Sequence, residues 1–146
     1  MQFVAQVQVP APPDEVFDYC VTAEGFRTQF PFAVRWLEGP QTWRGGDVID
    51  FRYRVAGLWM RHRASIVTYE RGRCFVDEMT QGIYRSFRHA HHFTACDGGT
   101  CVRDQIDFTL GFGRLADRLI GLPTLARTFG KRHAALLAHF SRGSGA

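Results

Sequence analysis

The residues of this sequence whose types and spacing suit chemistry are two histidines and one aspartate. His89 and His91 are two positions apart in a strand-like segment, so they share one face of it. Asp104 lies in the next strand-like segment, on the face that carries its apolar residues. A histidine held by a carboxylate can act as a general acid or base, or it can orient a ligand oxygen.

The turn between these two segments predicts which residues meet. We expect Gly98 and Gly99 to form a two-residue loop. This loop places Phe93 opposite Asp104 and His91 opposite Ile106, so that Asp104 lies diagonal to His91. Because a lone buried carboxylate is costly, His91 is its expected partner. A buried polar cluster that only fixes the strand register is the alternative interpretation.

A metal site would need one more protein ligand beside these residues. His62, on a neighbouring strand, is the visible candidate. The sequence therefore favours neither a metal nor any other cofactor, and we predict none.

A second acid, Asp77, is also expected on the inner face of the sheet. A turn at Arg71 and Gly72 places it opposite Ile66. A buried acid needs a partner, so we expect a nearby arginine or a backbone amide to bind it. A structural role is favoured over a role in a pocket.

The composition is typical of one globular domain with an aromatic interior. The chain has 146 residues, of which 45% are hydrophobic and 22% charged, and these include 13 Phe, 4 Tyr and 3 Trp. We predict a single domain over residues 1–141 and a flexible tail over 142–146. The net charge of +4 comes from arginines spread along the chain, which argues against nucleic-acid binding.

The sequence shows no secretory pattern at its start and no apolar run near the roughly 18 residues that span a bilayer. We therefore predict a cytoplasmic protein without integral membrane association. Cys96 and Cys101 flank a turn and could form a cross-strand disulfide. A reducing cytosol disfavours that bond.

Periodicity predicts a strand, two short helices, an antiparallel meander and a long helix. An alternating strand covers residues 3–9, and helices are expected over 14–20 and 24–30. Turn residues then separate strands over 33–37, 48–55, 58–69, 74–79, 84–95 and 101–110.

The last helix carries an apolar stripe that suits docking on a sheet. Residues Gly121, Leu122 and Pro123 are expected to separate it from a short preceding helix, with Pro123 in its first turn. His133 lies on the stripe, where it could cap a pocket or be a satisfied core residue. A basic group near this helix, which includes Arg132, is interpreted as a solvated face.

Several motifs resemble the SRPBCC (START-like) superfamily, within it a small bacterial group labelled ligand-binding or polyketide cyclase/dehydrase-like. Residues 9–17 resemble its opening strand and helix start, and 98–108 resemble one of its later strands. Residues 87–93 resemble its strand with two histidines, with Phe87 in place of the usual Trp. The resemblance covers residues 2–141. It implies an α+β helix-grip fold, in which a curved antiparallel sheet wraps around a long C-terminal helix, with two short helices after the first strand.

The same resemblance implies a cavity that binds a hydrophobic or aromatic small molecule, lipid- or polyketide-like, in a monomer or homodimer. We expect its polar end to consist of His89, His91 and Asp104, and we expect His62 to be a further ligand-binding residue. Its apolar wall is expected to contain Phe51, Tyr53, Met60, Met79, Phe87, Ile106 and Phe129. One alternative is a cyclase or dehydratase in which His91, polarised by Asp104, moves a proton. Another is a protein-interaction module that uses its basic surface.

Overall fold

A computed structural model describes residues 1–143, which form one antiparallel sheet with helices packed against it. The seven strands are β1 (Gln2–Val9), β2 (Val34–Glu38), β3 (Val48–Val55), β4 (Leu58–Glu70), β5 (Cys74–Gln81), β6 (Ser86–Cys96) and β7 (Gly99–Thr109). The helices are α1 (Pro13–Cys20), α2 (Ala23–Gln29), α3 (Arg114–Ala116) and α4 (Leu122–Gly143), with a π-helical turn over Asp117–Gly121.

The strand order is β1-β7-β6-β5-β4-β3-β2, so the first two strands along the chain form opposite edges of the sheet. The long helix α4 packs against β1 and α2. This arrangement confirms the helix-grip fold that the motifs predicted. The predicted tail starts too early, because α4 includes Arg142 and Gly143. The rest of that tail, residues 144–146, lies outside the described residues.

Alternation along β7 decides which side chains face the interior. Every second residue of this strand is buried: Thr100, Val102, Asp104, Ile106 and Phe108. This period of two is the one that an extended strand imposes on a half-buried sheet. It places one carboxylate among apolar side chains, as the sequence predicted.

The register between β6 and β7 differs from the predicted one by two residues. Cys96 pairs with Gly99, so the loop consists of Asp97 and Gly98. Gly98 supplies the left-handed backbone of this loop, with φ +80°. Gly99 already belongs to the ladder, since it pairs with Cys96. The Val9 carbonyl lies so close to Gly99 that an added Cβ atom would clash with it. A shift of two residues changes the partners but keeps every side chain on its predicted face.

The helical region is continuous where a break was predicted. Ala116 and Leu122, on either side of the π turn, both have right-handed helical backbone angles. Pro123 has no N–H group to donate to the preceding turn, and a π turn just before it takes up the irregularity without ending the helix. The buried Asp117 carboxylate accepts a hydrogen bond of 2.7 Å from the backbone N–H of Leu110. That bond fixes the helix start to the end of β7.

The four cysteines are free thiols. Cys101 is paired with Thr94 and Cys96 with Gly99, so the two candidates for a disulfide are not opposite each other. None of the helices within residues 1–143 is long and apolar enough to cross a membrane.

Candidate functional site

A cavity of about 210 Å³ lies between the sheet, the α2 region and α4. Its wall is mainly apolar and draws on both hydrophobic clusters of the core. Aromatic rings make up much of this wall: Phe26, Phe30, Phe32, Trp43, Phe51, Tyr53, Phe75, Tyr84, Phe87 and Phe129. Ile83 and Thr124 are lining residues exposed to solvent, so the cavity opens between the β5–β6 loop and the start of α4.

The structure brings most of the predicted site residues to this wall, namely Phe51, Tyr53, His62, Phe87, His89, His91 and Phe129. Three predicted apolar contacts do not line it. Ile106 packs in the core beside Phe108, and Met60 packs against the larger core cluster. The Met79 thioether lies against Gly82. Alternation tells which face of the sheet a residue occupies, but not how far along the sheet the cavity extends.

Asp104 lies behind the cavity wall and is the centre of a buried polar cluster. Its Oδ1 atom accepts a hydrogen bond of 2.7 Å from His89 Nε2, and its Oδ2 atom accepts one of 2.6 Å from His133 Nε2. Burial alone would raise the pKa of the Asp104 carboxyl. The Arg132 guanidinium and these histidine hydrogen bonds instead hold that pKa well below its usual value. Asp104 is therefore a carboxylate at neutral pH.

His91 lies between its predicted partner, Asp104, and a second carboxylate, Asp77. It is directly opposite Asp104 in the ladder, yet its Nε2 atom donates to Asp77 Oδ2 at 2.8 Å. Its Nδ1 atom lies 3.1 Å from Asp104 Oδ1 and 3.4 Å from Arg132 Nη2. A guanidinium can only donate, so a bond from Arg132 leaves the His91 proton on Nε2.

Asp77 is opposite Ile66, as the sequence predicted. The expected arginine or backbone partner is wrong, because the acid is bound by His91 of the neighbouring strand. Burial would raise the pKa of Asp77, but the His91 hydrogen bond and the charge of His89 lower it to about 2. Asp77 is thus a second carboxylate, and it lines the cavity directly.

His89 is neutral at physiological pH. Burial and the nearby charge of His91 lower the pKa of His89 to about 4, against the opposing effect of Asp104. Since a carboxylate can only accept, the His89 proton lies on Nε2, which contacts Asp104. The other ring nitrogen, Nδ1, therefore carries a free lone pair, and it lies 3.8 Å from Asp77 Oδ2.

Arg132 is the functional candidate that sequence reasoning missed. The sequence placed Arg132 on a solvated face of the helix. In the structure only 8% of the surface of this residue is exposed, and its side chain lines the cavity. Its guanidinium lies 5.6 Å from the centre of the Phe129 ring. The signal was present in the spacing, because residues 125, 129, 132 and 136 follow one helix face at intervals of four, three and four.

The remaining polar groups of the wall are neutral. Burial raises the pKa of the Cys20 thiol to about 12, and it also raises the pKa of the Tyr53 phenol to about 12. Thr124 and Thr128 add hydroxyl groups near the opening. These groups can exchange hydrogen bonds with a ligand without adding charge.

The family of the protein follows from its sequence as a whole. Residues 1–143 match the family model described as polyketide cyclase / dehydrase and lipid transport. The chain belongs to that family. Among curated proteins, none matches the chain in sequence.

Solved structures share the fold of this chain at low sequence identity. A protein from Chromobacterium violaceum has 12% identity and a TM-score of 0.79, with 96% of this chain and 97% of that one covered. The di-domain ARO/CYC StfQ from the steffimycin biosynthetic pathway has 14% identity and a TM-score of 0.78, with 99% and 52% covered. Ara h 8.0201 has 16% identity and a TM-score of 0.75, with 97% and 98% covered. At these identities the likeness establishes the fold alone.

Proposed function

We propose that this protein binds a compact aromatic small molecule in its cavity and does not convert it. The observation that carries the proposal is a cavity of about 210 Å³ with an aromatic wall and a buried polar cluster at its inner end. Binding pockets commonly combine a mostly apolar wall with a few convergent polar groups. The family description, which includes lipid transport, supports a ligand-binding role.

The volume restricts the size of the ligand. An apolar cavity of about 150 Å³ holds one benzene molecule. A cavity of about 210 Å³ therefore suits one ring with substituents or two fused rings. Rings of this size can contact Phe51, Phe87 and Phe129 from different sides, since these residues come from β3, β6 and α4.

The charges at the inner end of the cavity determine whether the polar group of the ligand is neutral or charged. Asp77 and Asp104 are two carboxylates, whereas Arg132 is one cation. A further carboxylate on the ligand would add to this excess of negative charge. A neutral phenol or carbonyl avoids the repulsion and can accept a hydrogen bond from Arg132 or the Tyr53 phenol.

A cyclase- or dehydratase-type enzyme is the second candidate, because two histidines reach the cavity wall and the family description includes such enzymes. In that hypothesis His91 moves a proton on a carbonyl-bearing ligand. Its partner would be Asp77 rather than Asp104. His91 is only 3% exposed and both of its ring nitrogens have protein neighbours, which favours binding over proton transfer. The interaction-module hypothesis predicted a filled core, so the cavity counts against it.

Native mass spectrometry of freshly purified protein, with denaturing extraction of any bound compound, is the first test. A direct titration with 2-naphthol follows, with quenching of tryptophan fluorescence as the signal, because Trp43 lines the cavity. We expect 2-naphthol to bind more tightly than 2-naphthoate. Incubation of any extracted compound with the protein then separates binding from conversion.

A cavity-filling variant provides the matched comparison. Ala64 is buried in the cavity wall on β4, and Ala64→Leu is expected to lower 2-naphthol affinity at least tenfold. Val67→Leu changes an exposed residue of the same strand and should leave the affinity unchanged. Equal affinities in the folded Ala64→Leu and wild-type proteins would contradict binding inside the cavity.

A further inference from the structure

We propose that Asp77, His89 and His91 form a binding site for a divalent transition-metal ion such as Zn²⁺ or Fe²⁺ at the inner end of the cavity. The inference goes beyond the proposed function, since an apolar cavity can bind an aromatic ligand without a metal. It also departs from the expectation of no metal, which considered His62 as the extra ligand. Asp77 takes that position instead.

The geometry brings three ligand atoms together. One ligand atom from each of the three side chains lies within 4.8 Å of the others. Asp77 Oδ2 is 2.8 Å from His91 Nε2 and 3.8 Å from His89 Nδ1. Ligand atoms bound at about 2.0–2.2 Å in tetrahedral geometry lie roughly 3.4 Å apart. Side-chain movements of less than about 1 Å would therefore complete the site.

The hydrogen bonds leave a lone pair that needs a partner. His89 donates its Nε2 proton to Asp104, so its Nδ1 atom is an acceptor. The nearest carboxylate oxygen to that atom is Asp77 Oδ2, which is also an acceptor. Two buried acceptors 3.8 Å apart repel each other unless a cation lies between them.

Asp104 orients the imidazole rings of His89 and His91 from the side that faces away from the cavity. It accepts from His89 Nε2 at 2.7 Å, and it lies 3.1 Å from His91 Nδ1. Histidines that bind metals almost always donate their second ring N–H to a carboxylate or carbonyl. In the metal-free protein the His91 proton lies on Nε2, so metal binding at Nε2 requires that proton to move to Nδ1, from which it can be donated to Asp104. His133 Nε2 donates to the other oxygen of Asp104 and holds the carboxylate in place.

The charges favour a cation, and the cavity supplies its open coordination position. The carboxylates of Asp77 and Asp104 outnumber the one guanidinium of the cluster, that of Arg132. Imidazole and carboxylate ligands suit Zn²⁺ or Fe²⁺ better than Ca²⁺ or Mg²⁺. All three ligand residues line the cavity, so a fourth ligand would come from it. This fourth ligand is water or, on the proposed function, the oxygen of a bound phenol or carbonyl.

The test is a titration of tag-free protein that has been stripped with EDTA and transferred to metal-free buffer. We expect calorimetry to detect one Zn²⁺ ion per chain. Asp77→Asn and His89→Gln should each lower the Zn²⁺ affinity at least tenfold. Asp104→Asn, which loosens both rings, should lower it about 10- to 100-fold. His139→Gln is the matched control, because His139 is an exposed histidine of α4 that stacks on Tyr19 away from the cavity lining, and it should retain wild-type affinity.

A second measurement uses the wild-type protein and does not depend on the folding of variants. In ¹⁵N-histidine spectra, Zn²⁺ should shift the ring-nitrogen signals of His89 and His91 and leave those of the exposed His139 in place. The proposal is overturned if wild-type protein binds no stoichiometric Zn²⁺, or if Zn²⁺ leaves the signals of His89 and His91 in place. It is equally overturned if folded Asp77→Asn binds as tightly as wild type. Titration of 2-naphthol into EDTA-treated protein is independent of these results, so failure of ligand binding and failure of metal binding are distinguishable.

Discussion

His91 is directly opposite Asp104 in the β6–β7 ladder, yet it gives its hydrogen bond to Asp77 of β5. The Asp104 carboxylate therefore accepts its hydrogen bonds from His89 and from His133 of α4. One buried cluster therefore connects three neighbouring strands to the long helix. The same side chains define the polar end of the cavity, so structural and ligand-binding roles coincide there.

Removal of the Asp104 carboxylate should destabilise the protein strongly. Asp104→Ala leaves two buried histidine N–H groups without an acceptor, and loss of one partner from a buried charged group costs about 3–5 kcal/mol. We expect urea unfolding to show a decrease of this size in the free energy of unfolding.

Asp107→Asn is the control for this change, because Asp107 lies on the opposite face of the same strand, where it bonds Gln2. Its effect should stay below about 1 kcal/mol. A similar loss in both variants would mean that the cluster has no special role in stability.

The neutral state of His89 predicts a pH dependence of stability. An unfolded histidine has a pKa near 6.5, whereas the folded pKa of His89 is about 4. Between these values the unfolded chain binds more protons, so stability is lost as the pH falls from about 6.5 towards 4. His89 alone contributes a slope of up to about 1.4 kcal/mol per pH unit.

Urea unfolding of EDTA-treated protein at several pH values measures this slope. His89→Gln should reduce it. Part of the slope should remain, because burial also lowers the pKa values of His62 and His92. An unchanged slope in the variant would show that His89 is already protonated in the folded protein.

The fold was predictable because alternation and turn residues act locally. β3 begins and ends at the predicted residues. Asp77 is opposite Ile66 as expected, although the turn after β4 is one residue longer than predicted, because a bulge between Ile66 and Thr68 restores the register. Partners in the site were less predictable. The pairing of residues between β6 and β7 depends on which of the adjacent Gly98 and Gly99 lies in the loop. It also depends on Val9, which belongs to β1 and contacts Gly99 although the two residues are far apart in the sequence.

The role of Arg132 shows a second limit of sequence reasoning. A basic residue next to an apolar stripe is usually solvated, and its long side chain can reach water from many positions. Here the buried Asp104 carboxylate provides a counter-charge for it. That pairing depends on tertiary structure, which helix periodicity does not contain.

The cysteines should differ sharply in reactivity. Cys20 is buried at the cavity wall, and burial raises the pKa of its thiol to about 12. Cys96 is exposed at the β6–β7 loop. We expect iodoacetamide at neutral pH to label Cys96 quickly, while Cys20 reacts only after unfolding, because the thiolate is the nucleophile. Peptide mass mapping reads out each site, and fast labelling of Cys20 in folded protein would contradict its burial.

Replacement of two glycines in the helical region by alanine should change the free energy of unfolding in opposite directions. The Phe108 ring lies so close to Gly121 that an added Cβ atom would overlap it, so Gly121→Ala should cost about 1–3 kcal/mol. Gly130 is in the same region with open space around it, and Gly130→Ala should stabilise the helix by about 0.5–1 kcal/mol. Thermal unfolding measures both changes, and stabilisation by Gly121→Ala would contradict the close helix–sheet contact.

The pairing of β1 with β7 also sets an order of assembly. The first strand of the chain has one neighbour in the sheet, and that neighbour is the last strand. During synthesis on the ribosome, residues 2–9 have no strand to pair with until residues 99–109 have been made. The hairpins between them can form earlier, but their aromatic inner face stays open to water until β1 and α4 arrive. Contacts so distant along the chain slow folding, and the cavity is therefore enclosed only in the final steps.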